Sequence, residues 1–242
     1  MTTSSIPTIG FLSANNQWRP HYDEFLKLVP AGVQVQIEGL GLYTTQLTEL
    51  SGKSDVHVAK TTELAKANDW VGIAVMGAPM EVQNPELPRR LREAVSIPVA
   101  TALDSGAGAL RALGTRKALL LCPFTNELKT KIKENLAGKG IEALLPEEGF
   151  TELGAGISQT PEQLYKMATT EFAKAPSAEA IYFQGAPMNP LSIVEQLETE
   201  LGVPVIASNP TMLWYVCTQV GLKFSIPGKG RLVREWPDSV PV

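Results

Sequence analysis

Polar side chains, most of them hydroxyls and amides, cluster where apolar segments of the sequence end. They are Asn15, Asn16, Asp104, Ser105, Thr125, Asn126, Ser208 and Asn209. Side chains of this kind, together with the backbone N–H groups of helix starts, bind carboxylates without a formal positive charge. Each also has a plainer interpretation as a turn or N-cap residue. Asp104 is the one acidic side chain among them, so it is interpreted either as an acid or base or as the N-cap of a helix over 106–113.

The tetrapeptide Gly-Ala-Pro-Met occurs twice, at Gly77–Met80 and at Gly185–Met188. Each copy follows an apolar run and precedes a helical pattern, which leads to a second strand beginning with Pro-Val. Because the same order of elements surrounds both copies, we predict two similar α/β halves at 6–114 and 115–222. A tail rich in Pro and Gly follows at 223–242 and is expected to pack on the surface.

Short apolar runs alternate with stretches of helical periodicity along the whole chain. Strands are predicted at Thr8–Ser13, Val33–Glu38, Trp70–Met76, Pro98–Ala102, Lys117–Cys122, Glu142–Leu145, Ala180–Gln184 and Pro204–Ala207. Helices are predicted at Arg19–Leu28, Val56–Ala67, Glu86–Ala94, Gly108–Leu113, Thr125–Ala137, Pro161–Ala173, Pro190–Leu201 and Thr211–Val220. This order predicts two pseudo-symmetric, doubly wound parallel sheets.

Ligands of open parallel sheets bind beyond the carboxyl ends of the strands, so we expect one cleft between the halves. Both Gly-Ala-Pro turns and the polar turns face this cleft in our prediction. Backbone N–H groups of Gly77, Gly185 and Asn126 then form an anion hole. The further lining residues expected are Ala78, Pro79, Phe124, Ala186 and Pro187. His21 follows Pro20 near a helix start, where it could reach the cleft, but it is expected at the surface. Cys122 ends a strand beside the cleft, where a helix N-terminus could lower the pKa of its thiol, but it is expected in the core, as is Cys217.

Composition excludes several classes of function. The 242 residues carry a net charge of −4, which argues against nucleic acid and anionic membranes as partners. The N-terminal segment lacks the features of a secretion signal, and with only two cysteines a cytoplasmic location is expected. No metal-ligand pattern and no GxGxxG or GxxxxGK[ST] motif occurs, so neither a metal nor a cofactor is expected.

A series of short segments resembles the aspartate/glutamate racemase superfamily, specifically its branch of arylmalonate decarboxylases and maleate isomerases. The segments are Thr8–Gly10, Gly39–Leu42, Val75–Gly77, Ile97–Thr101, Ala109–Gly114, Pro123–Leu128, Leu201–Val205, Ser208–Asn209 and Trp214. The resemblance implies two pseudo-symmetric α/β halves and cofactor-free chemistry through a carbanion or enediolate next to a carboxylate, or through addition of a cysteine to a double bond.

The resemblance also implies which positions carry the chemistry. Racemases and isomerases of this kind use two cysteines, and similar decarboxylases keep only the second. The matching positions here are Gly77 and Gly185, so both thiols are absent. A pair of hydroxyl residues is replaced by Ala78 and Pro79, and a tyrosine by Phe124. Asp104 stands where the family has a small or hydroxyl residue.

Three functions are therefore considered. The first is a cofactor-independent lyase, similar to arylmalonate decarboxylase, that acts on a small carboxylate-bearing substrate through an enediolate and uses Asp104 or a water as proton source. The second is a cofactor-free isomerase, hydratase or hydrolase in the same cleft. The third is a non-catalytic protein that binds a small acid or an aromatic ligand. The sequence leaves open whether the protein is a monomer or a homo-oligomer.

Overall fold

Two four-stranded parallel sheets form the framework of the protein, for which a computed structural model describes residues 6–17, 19–150 and 153–239. The strands are β1 Thr8–Ser13, β2 Gln34–Gly39, β3 Trp70–Val75, β4 Val99–Thr101, β5 Lys117–Leu121, β6 Glu142–Leu144, β7 Ala180–Phe183 and β8 Val205–Ala207. The first sheet has the order β2-β1-β3-β4 and the second the order β6-β5-β7-β8. The eight predicted strands are thus confirmed, with ends displaced by no more than a single residue.

Helices connect and cover the strands. They are α1 Pro20–Leu26, α2 Ser54–Ala67, α3 Ala78–Gln83, α4 Leu87–Ala94, α5 Ala102–Ala112, α6 Asn126–Gly138, α7 Leu153–Ile157, α8 Pro161–Lys174, α9 Val194–Leu201, α10 Ser208–Gln219 and α11 Arg231–Glu235. Two turns of 3₁₀-helix span Leu47–Leu50 and Ala186–Met188. The short helices α3, α7 and α11 were not predicted, because each is too brief to show an apolar period.

Helix α5 begins earlier than predicted, since β4 passes directly into it at Ala102. The glycines within α5 concealed its start in the sequence. A Cβ atom on Gly106 would lie 2.5 Å from the hydroxyl of Tyr182, so this glycine permits a close approach of the second sheet. Tyr182 in turn donates a hydrogen bond of 3.0 Å to the carbonyl of Ala102. Likewise, β8 passes directly into α10 where a polar turn was expected.

The two halves share one core. Helix α10 follows the second sheet but packs on β3 and β4 of the first, beside α5. A Cβ atom on Gly72 of β3 would lie 2.7 Å from Cγ2 of Val216, which shows how closely α10 approaches that strand. Because α5 and α10 are the helices that leave the edge strands β4 and β8, their mutual packing fixes how these two strands are placed relative to each other.

The described part of the C-terminal tail is more deeply packed than a surface tail. Leu232, Val233 and Trp236 are buried, and the indole of Trp214 donates a hydrogen bond of 2.8 Å to the carbonyl of Pro237. These apolar side chains extend the core that surrounds α10. Within the described ranges, no helix has the length and apolar character needed to cross a bilayer.

Candidate active site

A cleft of about 90 Å³ opens at the carboxyl ends of the central strands of both sheets. Ser13 ends β1, Gly77 follows β3, Gly185 follows β7 and Ser208 follows β8. The lining comprises Ser13, Ala14, Asn15, Arg19, His21, Tyr22, Tyr43, Leu47, Leu50, Met76, Gly77, Pro79, Met80, Phe124, Gln184, Gly185, Ala186, Pro187, Ser208, Asn209 and Met212. Both Gly-Ala-Pro turns therefore border a single cavity.

The structure separates the predicted site residues into two groups. Those that line the cleft are Asn15, Gly77, Pro79, Phe124, Gly185, Ala186, Pro187, Ser208 and Asn209. Those outside the lining are Asn16, Ala78, Asp104, Ser105, Thr125 and Asn126. The second group consists largely of residues that serve the local structure of a turn or a helix.

Local hydrogen bonds and burial explain why these residues lie outside the lining. The hydroxyl of Ser105 donates to the carbonyl of Thr101 at 2.7 Å, within α5. Thr125 is the N-cap of α6 and accepts the Leu128 N–H at 3.4 Å. Asn126 begins the same helix at an exposed position, so the expected contribution of its N–H to an anion hole is corrected. Of the two others, Asn16 is exposed and Ala78 is buried within α3.

Asp104 lies in a buried ion-paired cluster and not in the cleft lining. Its carboxylate is 2.5 Å from Nζ of Lys139 and also pairs with Arg92. Burial opposes ionisation, but the hydrogen bonds and charges of Lys139 and Arg92 outweigh it and lower the pKa of Asp104. The interpretation as an N-cap is wrong, because Thr101 is the N-cap of α5. Asp104 does not line the cleft, so its position does not support its interpretation as the acid or base of the cleft.

Glu81 of α3 belongs to the same cluster. One carboxylate oxygen accepts the Leu103 N–H at 3.1 Å, and the other lies 3.7 Å from Nζ of Lys139. Burial, followed by the charge of Asp104, raises the pKa of Glu81 to about 7. The cluster joins α3 and α5 of the first half to the end of α6 in the second.

The two glycine turns have positive φ, at 99° for Gly77 and 132° for Gly185. The backbone N–H of Gly185 donates to the hydroxyl of Ser208 at 2.8 Å, and that hydroxyl lies 3.3 Å from the carbonyl of Phe183, to which it donates. This N–H therefore already has an acceptor, and its expected place in an anion hole is corrected. Ser208 fixes the shape of the turn through these bonds.

Ser13 organises the first-half side of the cleft. Its hydroxyl oxygen accepts from the Tyr22 hydroxyl at 3.0 Å and from the Asn15 N–H at 3.3 Å. The side-chain oxygen of Asn15 accepts the Gln17 N–H at 2.7 Å. Because the oxygen is engaged, the amide nitrogen of Asn15 is the end left to donate to a ligand.

His21 was expected at the surface, and this expectation is wrong. Only 8% of the residue is exposed, and its ring lines the cleft at the first turn of α1. Burial, together with the charge of Arg19, lowers the pKa of His21 to about 4. Sequence periodicity gave no sign of this, because α1 is short and its inward face depends on how the segment after β1 folds back.

Arg19, Tyr22, Tyr43 and Gln184 line the cleft without having been singled out from the sequence. Among the described lining residues, the ionisable groups are Arg19, His21, Tyr22 and Tyr43, with no Asp, Glu, Lys or Cys. Arg19 consequently carries the formal charge of the cleft at neutral pH, which favours an anionic ligand. No three His, Cys, Asp or Glu side chains of the described ranges gather as metal ligands would.

Two buried amides border the second-half side. Gln184 is 1% exposed and Asn209 is 4% exposed. Their side-chain oxygens have no hydrogen-bond partner among the described residues. Since a buried amide left unpaired costs about 1–3 kcal/mol, a polar ligand or water is expected to satisfy them.

Both cysteines lie outside the cleft lining, within the core. Burial raises the pKa of Cys122 and that of Cys217 to about 12. Burial therefore favours the protonated form of each thiol. This placement agrees with the core positions expected from the sequence.

Known proteins share this architecture. A double variant of arylmalonate decarboxylase, solved in its liganded form, has a TM-score of 0.83 and 24% identity, covering 95% of this chain and 99% of its own. A variant of the maleate isomerase Iso from Pseudomonas putida S16, solved with maleate, has a TM-score of 0.77 and 17% identity, covering 94% and 97%. These two comparisons establish the shared fold.

Sequence comparison identifies the family. Arylmalonate decarboxylase of Bordetella bronchiseptica is 27% identical over 158 residues, which is 63% of this chain and 64% of that relative. The match to this relative thus spans just under two thirds of its length. The arylmalonate decarboxylase family itself matches residues 23–233, which is most of the chain. The chain therefore belongs to the arylmalonate decarboxylase family.

Proposed function

We propose that this protein is a cofactor-independent decarboxylase that removes CO₂ from a small malonate-type dicarboxylic acid without using a cysteine. The observation that carries the proposal is that one cleft is lined by a single cation, by amide and hydroxyl side chains, and by a set of apolar side chains. Membership of the arylmalonate decarboxylase family supports the same reaction class.

The polar lining residues suit the carboxylate that remains on the product. They include Ser13, Asn15, Arg19, His21, Gln184 and Asn209. When the bond to the departing carboxylate breaks, its electron pair moves onto the retained carboxylate and forms an enediolate. A guanidinium and amide donors placed where this charge develops lower the barrier, because they require no reorganisation during the reaction.

The apolar lining residues suit the departing carboxylate and the organic substituent. They include Leu47, Leu50, Met76, Pro79, Met80, Phe124 and Met212. A carboxylate held against such surroundings loses hydration, whereas the neutral CO₂ that it becomes does not depend on hydration. The same surface accommodates an aryl or alkyl substituent through burial of apolar area.

The proposal needs neither a redox group nor a thiol. Decarboxylation of a malonate consumes one proton and releases CO₂, and the electron pair stays on the organic product. Cys122 and Cys217 lie outside the lining, so the thiols of the chain are not placed to deliver that proton. The departure from the family's cysteine chemistry remains part of the proposal.

The test is release of CO₂ from phenylmalonate by the purified protein, with no metal or cofactor added. We expect turnover that Arg19→Gln weakens through both a higher KM and a lower kcat, since the guanidinium binds the retained carboxylate and stabilises the charge that develops on it. Conversion of maleate without turnover of phenylmalonate would indicate an isomerase. Thermal stabilisation by phenylmalonate without turnover of either compound would indicate a binding protein.

A further inference from the structure

We propose that His21 is the proton donor of the cleft, and that Arg19 beside it anchors the carboxylate that the substrate retains. The inference rests on the proposed function for its reaction step. It assigns to the segment after β1 a task that the resemblance places on cysteines following β3 and β7.

Elimination among the ionisable groups of the cleft leads to His21. The described lining contains no carboxyl, amine or thiol, and its other ionisable side chains are Arg19, Tyr22 and Tyr43. A guanidinium does not release its proton in proteins. Burial raises the pKa of Tyr22, whose hydroxyl already donates to Ser13 at 3.0 Å. Tyr43 is half-buried beside the apolar Leu42 and is tested below as the alternative donor.

The imidazole lies beside the turn where the similar decarboxylases carry a cysteine. His21 borders the main cleft and also a small adjoining cavity, which it shares with Gly185, Ala186, Ser208 and Asn209. Helix α1 packs against the 3₁₀ turn Ala186–Met188, which places the ring on the Gly185 side. A proton delivered from the ring therefore enters the cleft from that side.

The Gly185 turn itself has no room for a side chain. A Cβ atom there would lie 2.7 Å from Cδ of Pro123 and 3.2 Å from its Cγ. Contacts this short force the neighbouring ring to move. A donor that approaches from α1 avoids this obstruction, so the packing of the turn and the position of His21 are consistent with each other.

The proposed reaction consists of loss of CO₂ and transfer of one proton from His21, with every bond and electron pair accounted for. The bond between Cα and the departing carboxylate breaks, and CO₂ leaves. The electron pair of the broken bond stays on the organic fragment and forms the enediolate with the carboxylate held by Arg19. The imidazolium of His21 then transfers its ring proton to Cα, where the enediolate electron pair forms the new C–H bond. The neutral imidazole takes up another proton from water, so each turnover consumes one solvent proton.

Substrate binding supplies the protonated ring. In the cleft without ligand, burial and Arg19 lower the pKa of His21 to about 4, so the ring is neutral at pH 7. A dicarboxylate brings two negative charges next to the ring and favours its charged form. The remaining titratable groups of the lining are Tyr43 and Tyr22, and burial raises the pKa of Tyr22. Binding is therefore coupled to uptake of a proton.

Histidine NMR on the unaltered protein tests this placement. The sequence contains two histidines, and His57 is a matched internal control. His57 is fully buried in α2, lies outside the cleft lining, and burial lowers its pKa to about 4 as well. Saturation with phenylmalonate, or with phenylacetate if the substrate turns over, should raise the pKa of His21 by at least one unit and leave that of His57 unchanged. An unchanged His21 overturns the proposal.

Turnover and stereochemistry of variants test the donor role. With 2-methyl-2-phenylmalonate, His21→Gln should lower kcat at least 100-fold with little change in KM, as expected for loss of a general acid. The residual product should lose its enantiomeric excess, because water then protonates either face, and a purely structural role would not cause this. Tyr43→Phe should keep the enantiomeric excess, and its kcat should fall far less than that of His21→Gln, because Tyr43 contacts the cleft without donating the proton. If His21→Gln keeps both its kcat and its enantiomeric excess, the assignment of His21 as the proton donor is overturned.

The outcomes separate this inference from the proposed function. If the unaltered protein releases no CO₂, the proposed decarboxylation fails, and the NMR titration then decides whether His21 lies beside a bound carboxylate. If the protein is active and His21→Gln is unaffected, the decarboxylation stands and the assignment of His21 is wrong.

Discussion

A Cβ atom on Gly185 would lie 2.7 Å from Cδ of Pro123. Gly77 occupies the matching place in the first half, and a Cβ atom there meets no described atom within 4 Å. Both glycines have positive φ, so backbone strain is common to the two positions. Steric room is what distinguishes the two related turns.

This difference predicts unequal costs for the same substitution. Gly77→Ala should lower the free energy of unfolding by about 1 kcal/mol, the cost of positive φ for a residue with a Cβ. Gly185→Ala should lower it by about 3 kcal/mol, because overpacking against Pro123 adds to that strain. Urea denaturation of both variants measures the difference. Equal losses would show that the Pro123 ring moves aside at no cost.

Thiol chemistry should be absent until a cysteine is introduced at the open turn. The native protein should not react with a disulfide reagent such as DTNB, since burial raises the pKa of both Cys122 and Cys217 to about 12. Gly77→Cys should add one rapidly reacting thiol that faces the cleft. Unfolding in urea should expose the two native thiols and provides the control. Loss of turnover on alkylation of the native protein would contradict this prediction.

The strands were predictable because their apolar runs are compact and bounded by turn residues. Val33–Glu38 was predicted and Gln34–Gly39 is observed for β2, and β3 runs from Trp70 to Val75. The internal repeat also predicted the shared cleft, since each Gly-Ala-Pro turn follows a central strand. Local pattern and symmetry were sufficient for these features.

The polar chemistry of the cleft was not predictable in the same way. Asp104 looks like an active-site acid in the sequence, but Lys139, which pairs with it, comes from the far end of α6 in the other half. His21 and Arg19 lie at the start of a helix that was predicted from the sequence, but its period did not show that these two residues face the cleft, and only the tertiary fold turns them inward. Contacts between residues distant in the chain decide both cases, and one sequence does not contain that information.

The buried carboxyl of Glu81 should make stability depend on pH. Burial and the charge of Asp104 raise the pKa of Glu81 from an ordinary value of 4.5 to about 7. The group therefore stabilises the fold fully below about pH 4.5, and this contribution is lost as the pH rises towards 7. Relative to Glu81→Gln, the unaltered protein should lose stability across this window, as measured by urea denaturation at several pH values. The exposed Glu134→Gln is the control, and a constant difference would refute the prediction.

The variant Asp104→Asn tests whether Asp104, in the same cluster, stabilises the fold or acts in the reaction. The substitution leaves the half-exposed Arg92 without its carboxylate partner, and it leaves the largely buried Lys139 with only the more distant Glu81 carboxyl at 3.7 Å. We expect the free energy of unfolding at pH 7 to fall by roughly 2–3 kcal/mol, less than for a fully buried pair because Arg92 reaches solvent. This loss should fade in acid, where Asp104 of the unaltered protein takes up a proton despite its lowered pKa. Turnover of phenylmalonate by the folded variant should stay within about threefold of the unaltered protein, whereas His21→Gln should lose at least 100-fold. A stable Asp104→Asn variant without turnover would instead restore Asp104 as the acid of the reaction.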